Sequence, residues 1–155
     1  MSMKKNVYRV FFIMLAISFV IMYSVMYLNV YKLNHVYLSL TRAYMTLLMV
    51  SPMAVLMILL MAHMYHNRKA NRIIIISSIS VFILALFLLR TQTPINDVQY
   101  MKAMIPHHSS AILTSKEANI RDPEVKELSR QIIESQEAEI EQMKNILKRI
   151  ERGAD

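Results

Sequence analysis

Residues 10–30 read VFFIMLAISFVIMYSVMYLNV and contain no charged side chain. A helix rises about 1.5 Å per residue, so these 21 residues match the ~30 Å hydrocarbon core of a bilayer. Two further apolar runs occupy residues 44–65 and 73–89. We therefore predict three transmembrane helices. A soluble protein with three buried helices is the less favoured alternative, because uncharged runs of this length are rare in soluble cores.

Charge is divided sharply along the chain. Residues 1–90 contain nine Lys or Arg and no acid, whereas residues 91–155 contain all eleven acids and nine bases. The basic excess thus lies in the apolar half, which indicates membrane topology rather than nucleic-acid binding. Six Lys or Arg residues precede the first run or lie between the second and third runs. Only three lie between the first and second runs or directly after the third. This bias predicts a cytoplasmic N-terminus and an extracytoplasmic segment 91–155.

The chain start does not resemble a cleaved signal peptide. Its first apolar run is longer than the usual apolar region of such a peptide, and no small-x-small cleavage site follows it. We expect an uncleaved span. The chain also has no cysteine, which excludes disulfides and thiolate metal ligands.

The polar tail is predicted to be an antiparallel helical hairpin. Its helices are expected at about residues 96–119 and 123–152, separated by the sequence NIRDPE. Within that sequence Asp122 suits the helix N-cap and Pro123 suits the first helical position. The predicted domains are therefore a three-span membrane anchor, residues 1–90, and a hairpin domain, residues 91–155.

Both tail helices carry a seven-residue repeat typical of helix-packing seams. The turn near residues 121–122 sets the register, because both helices rise equally per residue. In that register the histidine, methionine, glutamine and glutamate residues of the two seams lie at matching heights along the hairpin. Asp97 lies farther along the seam of the first helix. The predicted pairs are His108 with Gln136, Met104 with Glu139, and Met101 with Met143.

These residues suggest a copper site. Imidazole together with thioether sulfur is a copper-type ligand set, and thioethers favour Cu(I). Glu139 is a further candidate ligand, while Gln136 and Asp97 are candidate outer-shell groups. His107 is also a candidate ligand; it is rotated about 100° from His108 and flanks the seam or faces a second partner. The alternative is a packed seam whose polar residues set the register and the choice of partner.

A methionine row in the second apolar run has two interpretations. Methionine fills irregular gaps between packed helices, and this is the favoured one. The other is a thioether track for a soft metal. The row recurs every four residues and consists of Met45, Met49, Met53, Met57 and Met61.

The segments YMKAMIPHHSSAI (100–112) and DPEVKELSRQIIESQEAEIEQM (122–143) resemble the domain of unknown function 305, a CopM-like family. Its hallmark is a Met-x-x-His-His element followed by a Gln-x-x-Glu-Ile-x-x-Met element. Here these are Met104, His107 and His108, then Gln136, Glu139, Ile140 and Met143. The resemblance covers residues 95–147. It implies a ferritin-like four-helix bundle outside the cytoplasm and, for some members, binding of copper or silver.

This chain departs from the family pattern because its tail supplies only two helices. Two chains would complete the bundle as a homodimer or higher homo-oligomer, or the hairpin would pack on another protein. We thus expect a multi-pass protein of the bacterial cytoplasmic (inner) membrane that binds copper in homeostasis or resistance and is not an enzyme. The alternative is a membrane-anchored helical interaction module without metal. A di-iron enzyme is disfavoured, since no Glu-x-x-His motif occurs.

Overall fold

The structure is a computed structural model that describes residues 2–153, with the side chains of residues 7–153. This part of the chain is helical and contains no strand, so the all-α prediction is confirmed. A short 3₁₀ turn, Leu33–His35, lies between the first two α-helices. The five α-helices are α1 (Ser2–Val25), α2 (Leu40–Leu60), α3 (Arg68–Thr91), α4 (Asp97–Glu117) and α5 (Pro123–Arg152).

Helices α1, α2 and α3 are each long and apolar enough to cross a membrane. Their bounds differ from the predicted ones. Helix α1 ends at Val25 rather than at residue 30, and α2 runs from Leu40 to Leu60 rather than over residues 44–65. Helix α3 begins before residue 73, because the Asn67 side chain caps it by accepting hydrogen bonds from Lys69 N and Ala70 N.

The chain divides into two compact units, with one break after Pro94 rather than after residue 90. The first, here the apolar unit, contains α1 to α3 up to Pro94. The second, here the tail unit, contains α4 and α5 together with residues 26–40. The sequence reasoning had assigned residues 26–40 to the membrane anchor.

The apolar unit has one cluster of buried side chains. Phe11 is fully buried and contacts Ala54, Ile58, Tyr65 and Ile74, which come from α2, the following turn and α3. These residues link all three apolar helices through side-chain packing.

Helices α4 and α5 pack against each other along an apolar interface. Ile105 and Ile112 of α4 are fully buried, against Ile140 and Leu147 of α5. Both helices begin with a local cap. Asn96 accepts from Gln99 N, and Asp122 accepts from the amides of residues 124 and 125.

Two ion pairs show how the helices align. Lys102 Nζ lies 3.3 Å from Glu151 Oε1, and Lys116 Nζ lies 3.0 Å from Glu137 Oε1. The start of α4 thus meets the end of α5, and the later part of α4 meets an earlier part of α5.

Residues 26–40, here the 26–40 loop, pack against α4. The amide of Tyr31 donates to Ser109 Oγ at 2.8 Å, and His35 Nδ1 shares a hydrogen bond with the same oxygen at 2.8 Å. The amide of Leu40 donates to Gln99 Oε1 at 3.1 Å. Ser109 is fully buried and His35 is buried, so this contact belongs to the core of the tail unit.

Candidate metal site

An open groove of about 450 Å³ lies between α4 and α5. Its walls combine apolar side chains with sulfur, imidazole and carboxylate groups. Six of the eight tail residues proposed from the sequence line it: Asp97, Met101, Met104, His108, Glu139 and Met143. Tyr100, Gln142, Ile146, Arg149 and Ile150 complete the lining. We call it the α4–α5 groove.

Helical spacing explains why the α4 residues meet there. Residues separated by three or four positions lie on one face of a helix. Asp97, Met101, Met104 and His108 follow that spacing, and Glu139 and Met143 follow it on α5. Met101 is buried, whereas Met104, Met143 and Glu139 are half-buried. Three methionine side chains therefore line the partly shielded wall of the groove.

His108 is the imidazole of the groove. Its Nδ1 lies 2.9 Å from Glu139 Oε2, so the imidazole and the carboxylate are in direct contact. The nitrogen is buried. The Glu139 carboxylate therefore lies against this side of the ring and holds its orientation.

The protonation of His108 is also set by its surroundings. Burial lowers the pKa of His108 below its ordinary value, because the charged ring loses hydration. The Glu139 carboxylate opposes this shift and His107 adds to it, and the net direction is downward. The neutral ring that results at neutral pH is the form that binds metals.

Neighbouring side chains hold Glu139 in place. The Ser135 hydroxyl donates to Glu139 Oε1 at 2.9 Å, and Gln136 Nε2 donates to Oε2 at 3.4 Å. Gln136 does not line the α4–α5 groove. Its observed contact is with the carboxylate, which is the kind of orienting contact predicted for an outer-shell group.

His107 lies outside the groove. Its side chain is exposed, and its ring centroid is 5.9 Å from that of His108. The two rings meet edge to face and do not line the groove together. The structure thus separates the two histidines that the sequence grouped as ligands.

The cross-helix pairing differs from the predicted one by about one turn. His108 meets Glu139 rather than Gln136. The reason is that side chains lean toward the N-terminus of their own helix. In two antiparallel helices, a side chain of one helix therefore meets a residue closer to the C-terminus of the other helix than the residue at equal backbone height. The long side chains of Lys102 and Glu151 show a larger shift in the same direction.

Among residues 7–153, no three His, Cys, Asp or Glu side chains come together as a metal site. The other metal-ligating side chains that line the α4–α5 groove are the methionines Met101, Met104 and Met143. Three thioethers with one imidazole form a soft ligand set, which suits Cu(I) better than a hard cation such as Mg²⁺.

Comparison with known proteins places the chain in a family. The family described as "Domain of unknown function (DUF305)" matches residues 87–152. An uncharacterised protein of Acanthamoeba polyphaga mimivirus is 40% identical over 138 residues, which cover 87% of this chain and 89% of that protein. The chain belongs to the DUF305 family. No solved structure matches it significantly. The resemblance seen in the sequence is thus confirmed for the family itself, and the DUF305 description carries no assigned function.

The DUF305 match begins within α3 and ends at the last residue of α5. It therefore includes every residue of the α4–α5 groove, while the mimivirus relative covers most of the apolar unit as well. The 26–40 loop lies outside the DUF305 match.

The methionine row in α2 is not uniform in its surroundings. Met45 and Met49 are exposed, while Met53, Met57 and Met61 are half-buried. Met57 and Met61 pack against the core of the apolar unit, and Met61 lies beyond the end of α2 at Leu60. Packing accounts for these two positions, and a metal track stays a prediction.

The sequence reasoning missed Ser109 and His35. Ile105, Ser109 and Ile112 follow the same helical spacing as the groove residues, on a neighbouring face of α4. Two isoleucines at that spacing are a signal of a second buried face. No local signal identifies His35 as its partner, since the two residues are 74 positions apart.

Proposed function

We propose that this protein is a membrane-tethered copper-binding protein that takes Cu(I) in the α4–α5 groove. The observation that carries the proposal is the meeting of three methionines and His108 in one partly shielded groove. Imidazole and thioether donors together favour Cu(I) over hard cations. The protein would store copper or pass it on in homeostasis or resistance, without catalysing a reaction.

The side chains have distinct roles in this proposal. His108 would bind through a ring nitrogen in its neutral form, with Met101, Met104 and Met143 as sulfur ligands. Glu139 would orient the imidazole or add an oxygen ligand, since it already lies 2.9 Å from the ring. Because protons compete with the metal for His108, binding is expected to weaken in acid.

The membrane location rests on α1, α2 and α3, which serve as three spans in the proposal. The distribution of Lys and Arg supports a cytoplasmic N-terminus and an extracytoplasmic α4 and α5. The bacterial cytoplasmic membrane stays a prediction from the sequence. The mimivirus relative is viral and gives that detail no support.

A second copy of the chain would complete the site. Helices α4 and α5 supply two of the four helices of a ferritin-like bundle, and the groove between them is open. In a homodimer the tail units would cover each other's grooves. The exposed His107 would then face the second copy rather than the groove of its own chain.

The test is a Cu(I) titration of the full chain in detergent micelles against a competing chelator at neutral pH. His107→Ala and His108→Ala form a matched pair, because each removes one imidazole from adjacent positions. We expect His108→Ala to weaken Cu(I) binding at least about tenfold, the loss of one good ligand, and His107→Ala to weaken it less. Wild-type affinity equal to that of His108→Ala would refute the groove as a copper site.

A second candidate is a helical interaction module that binds no metal. The observation that favours it is the exposure of Val125 and Leu128 near the start of α5, where apolar side chains lie open to solvent. The mass of the purified chain, measured by light scattering after correction for detergent, tests self-association. Stable dimers without measurable Cu(I) affinity would favour this candidate over the copper site.

A further inference from the structure

The 26–40 loop has two unlike faces. Toward α4 it presents His35, which is buried, and two tyrosines, which pack against the tail-unit core. Away from α4 it presents three leucines. The exposed fractions are 78% for Leu28, 88% for Leu33 and 66% for Leu38.

The loop is fixed to α4 along most of its length. Asn29 Nδ2 donates to Ser110 Oγ at 2.9 Å, Tyr31 N donates to Ser109 Oγ at 2.8 Å, and Leu40 N donates to Gln99 at 3.1 Å. These bonds span both ends of the loop and its middle. In this bonded arrangement of the loop the three leucines are exposed.

Leu28 and Leu38 lie close in sequence to the ends of two apolar helices, which indicates what covers them. Leu28 follows the end of α1 by three residues, and Leu38 precedes the start of α2 by two. An extended chain spans at most about 3.6 Å per residue, so both lie within about 11 Å of a helix end. If α1 and α2 cross the bilayer, these leucines lie at the depth of the lipid headgroups.

The chemistry of the loop fits that depth. Lys32 lies next to Leu33, and a lysine can bury its aliphatic stem while its charge stays in the headgroup layer. A leucine side chain at this boundary is stabilised when its apolar surface leaves water.

We propose that Leu28, Leu33 and Leu38 insert into the interfacial layer of the bilayer, so that the 26–40 loop holds the tail unit at the membrane surface. This rests on the membrane anchor of the proposed function and is independent of copper. The tail unit is then seated on lipid through one face of the loop, rather than joined to the spans by a free linker.

Tryptophan fluorescence tests the proposal directly, because the chain contains no tryptophan of its own. Leu33→Trp and Leu38→Trp each introduce one reporter at an exposed position, so the core is undisturbed. Ala138→Trp is the control, since Ala138 is exposed on α5. The full chain is reconstituted in phosphatidylcholine vesicles with or without lipids brominated near the carbonyl end of their acyl chains.

The loop variants are expected to emit at shorter wavelength than the control, and to lose emission in brominated vesicles while the control does not. Carbonate extraction of the same vesicles reports separately on the anchor. A chain that resists extraction but whose loop tryptophans stay water-like overturns the lipid contact and leaves the anchor intact. A shift to shorter wavelength without bromine quenching also overturns it, because protein then covers the leucines. A chain that carbonate extracts overturns the anchor and the lipid contact together.

Discussion

Replacing Ser109 by alanine should release the 26–40 loop from α4. The Ser109 hydroxyl is fully buried and serves two partners, the amide of Tyr31 and Nδ1 of His35, each at 2.8 Å. Alanine fills nearly the same space but offers no oxygen. Both partners then lose a hydrogen bond at a site from which water is excluded.

The size of the effect follows from the cost of unpaired buried polar groups. Each such group costs about 1–3 kcal/mol, so two of them give about 2–6 kcal/mol. If the loop opens and water reaches both partners, the opening free energy falls by up to that amount. A free-energy change of about 1.4 kcal/mol changes an equilibrium constant tenfold. A decrease of about 2 kcal/mol, the lower value, therefore raises the population of the open loop about 30-fold.

Hydrogen exchange of the Tyr31 amide in the full chain measures this population, because the amide exchanges when its bond to Ser109 opens. Ser110→Ala is the adjacent control, since it removes an exposed bond from Asn29 of 2.9 Å. We expect Ser109→Ala to accelerate exchange at Tyr31 at least about 30-fold and Ser110→Ala only slightly. Equal rates in the two variants would refute the assignment of Ser109 as the buried anchor of the loop.

Three further predictions concern the tail unit. Ile112→Ala should destabilise it by about 2–5 kcal/mol, read from exchange of α4 amides, whereas Val125→Ala at an exposed site should have little effect. Burial, Lys144 and Lys32 lower the pKa of His35, and Glu141 opposes them. Near and below pH 6.5 the folded state therefore binds fewer protons than the unfolded state. The free energy of unfolding is highest above pH 6.5 and decreases as the pH falls below that value. His35→Gln should remove this contribution to the pH dependence of stability. Glu139→Gln removes a charge that raises the pKa of His108, so an NMR titration should show that pKa lowered further.

Features set by neighbouring residues were predictable from the sequence. The caps at Asn96 and Asp122 are local, and α4 and α5 begin within one residue of the predicted positions. The end of α1 was not predictable in this way. Residues 26–30 are as uncharged as the span before them, yet they leave the helix. In the folded chain Asn29 of this segment bonds to Ser110, and Tyr31, which follows the segment, bonds to Ser109. These partners are about 80 positions away, and no local pattern contains that information.

The candidate site was predicted in composition but not in pairing. The seven-residue repeat brought the methionines and His108 to one face, and the structure places them at one groove. Backbone height alone put Gln136 opposite His108. The lean of each side chain toward its own N-terminus carries Glu139 there instead. The same repeat says that His107 lies off the seam, but only the fold shows that it is exposed.

Helix α4 connects the two proposed contacts through consecutive residues. His108 faces the α4–α5 groove, and Ser109, the next residue, anchors the 26–40 loop. One helical step of about 100° separates the two directions, so both contacts depend on the same turn of backbone. If the loop rests on lipid and the groove takes copper, the metal site is built on a turn fixed at the membrane surface. Loosening of the loop by Ser109→Ala would then affect Cu(I) binding only indirectly, because Ser109 itself does not line the groove.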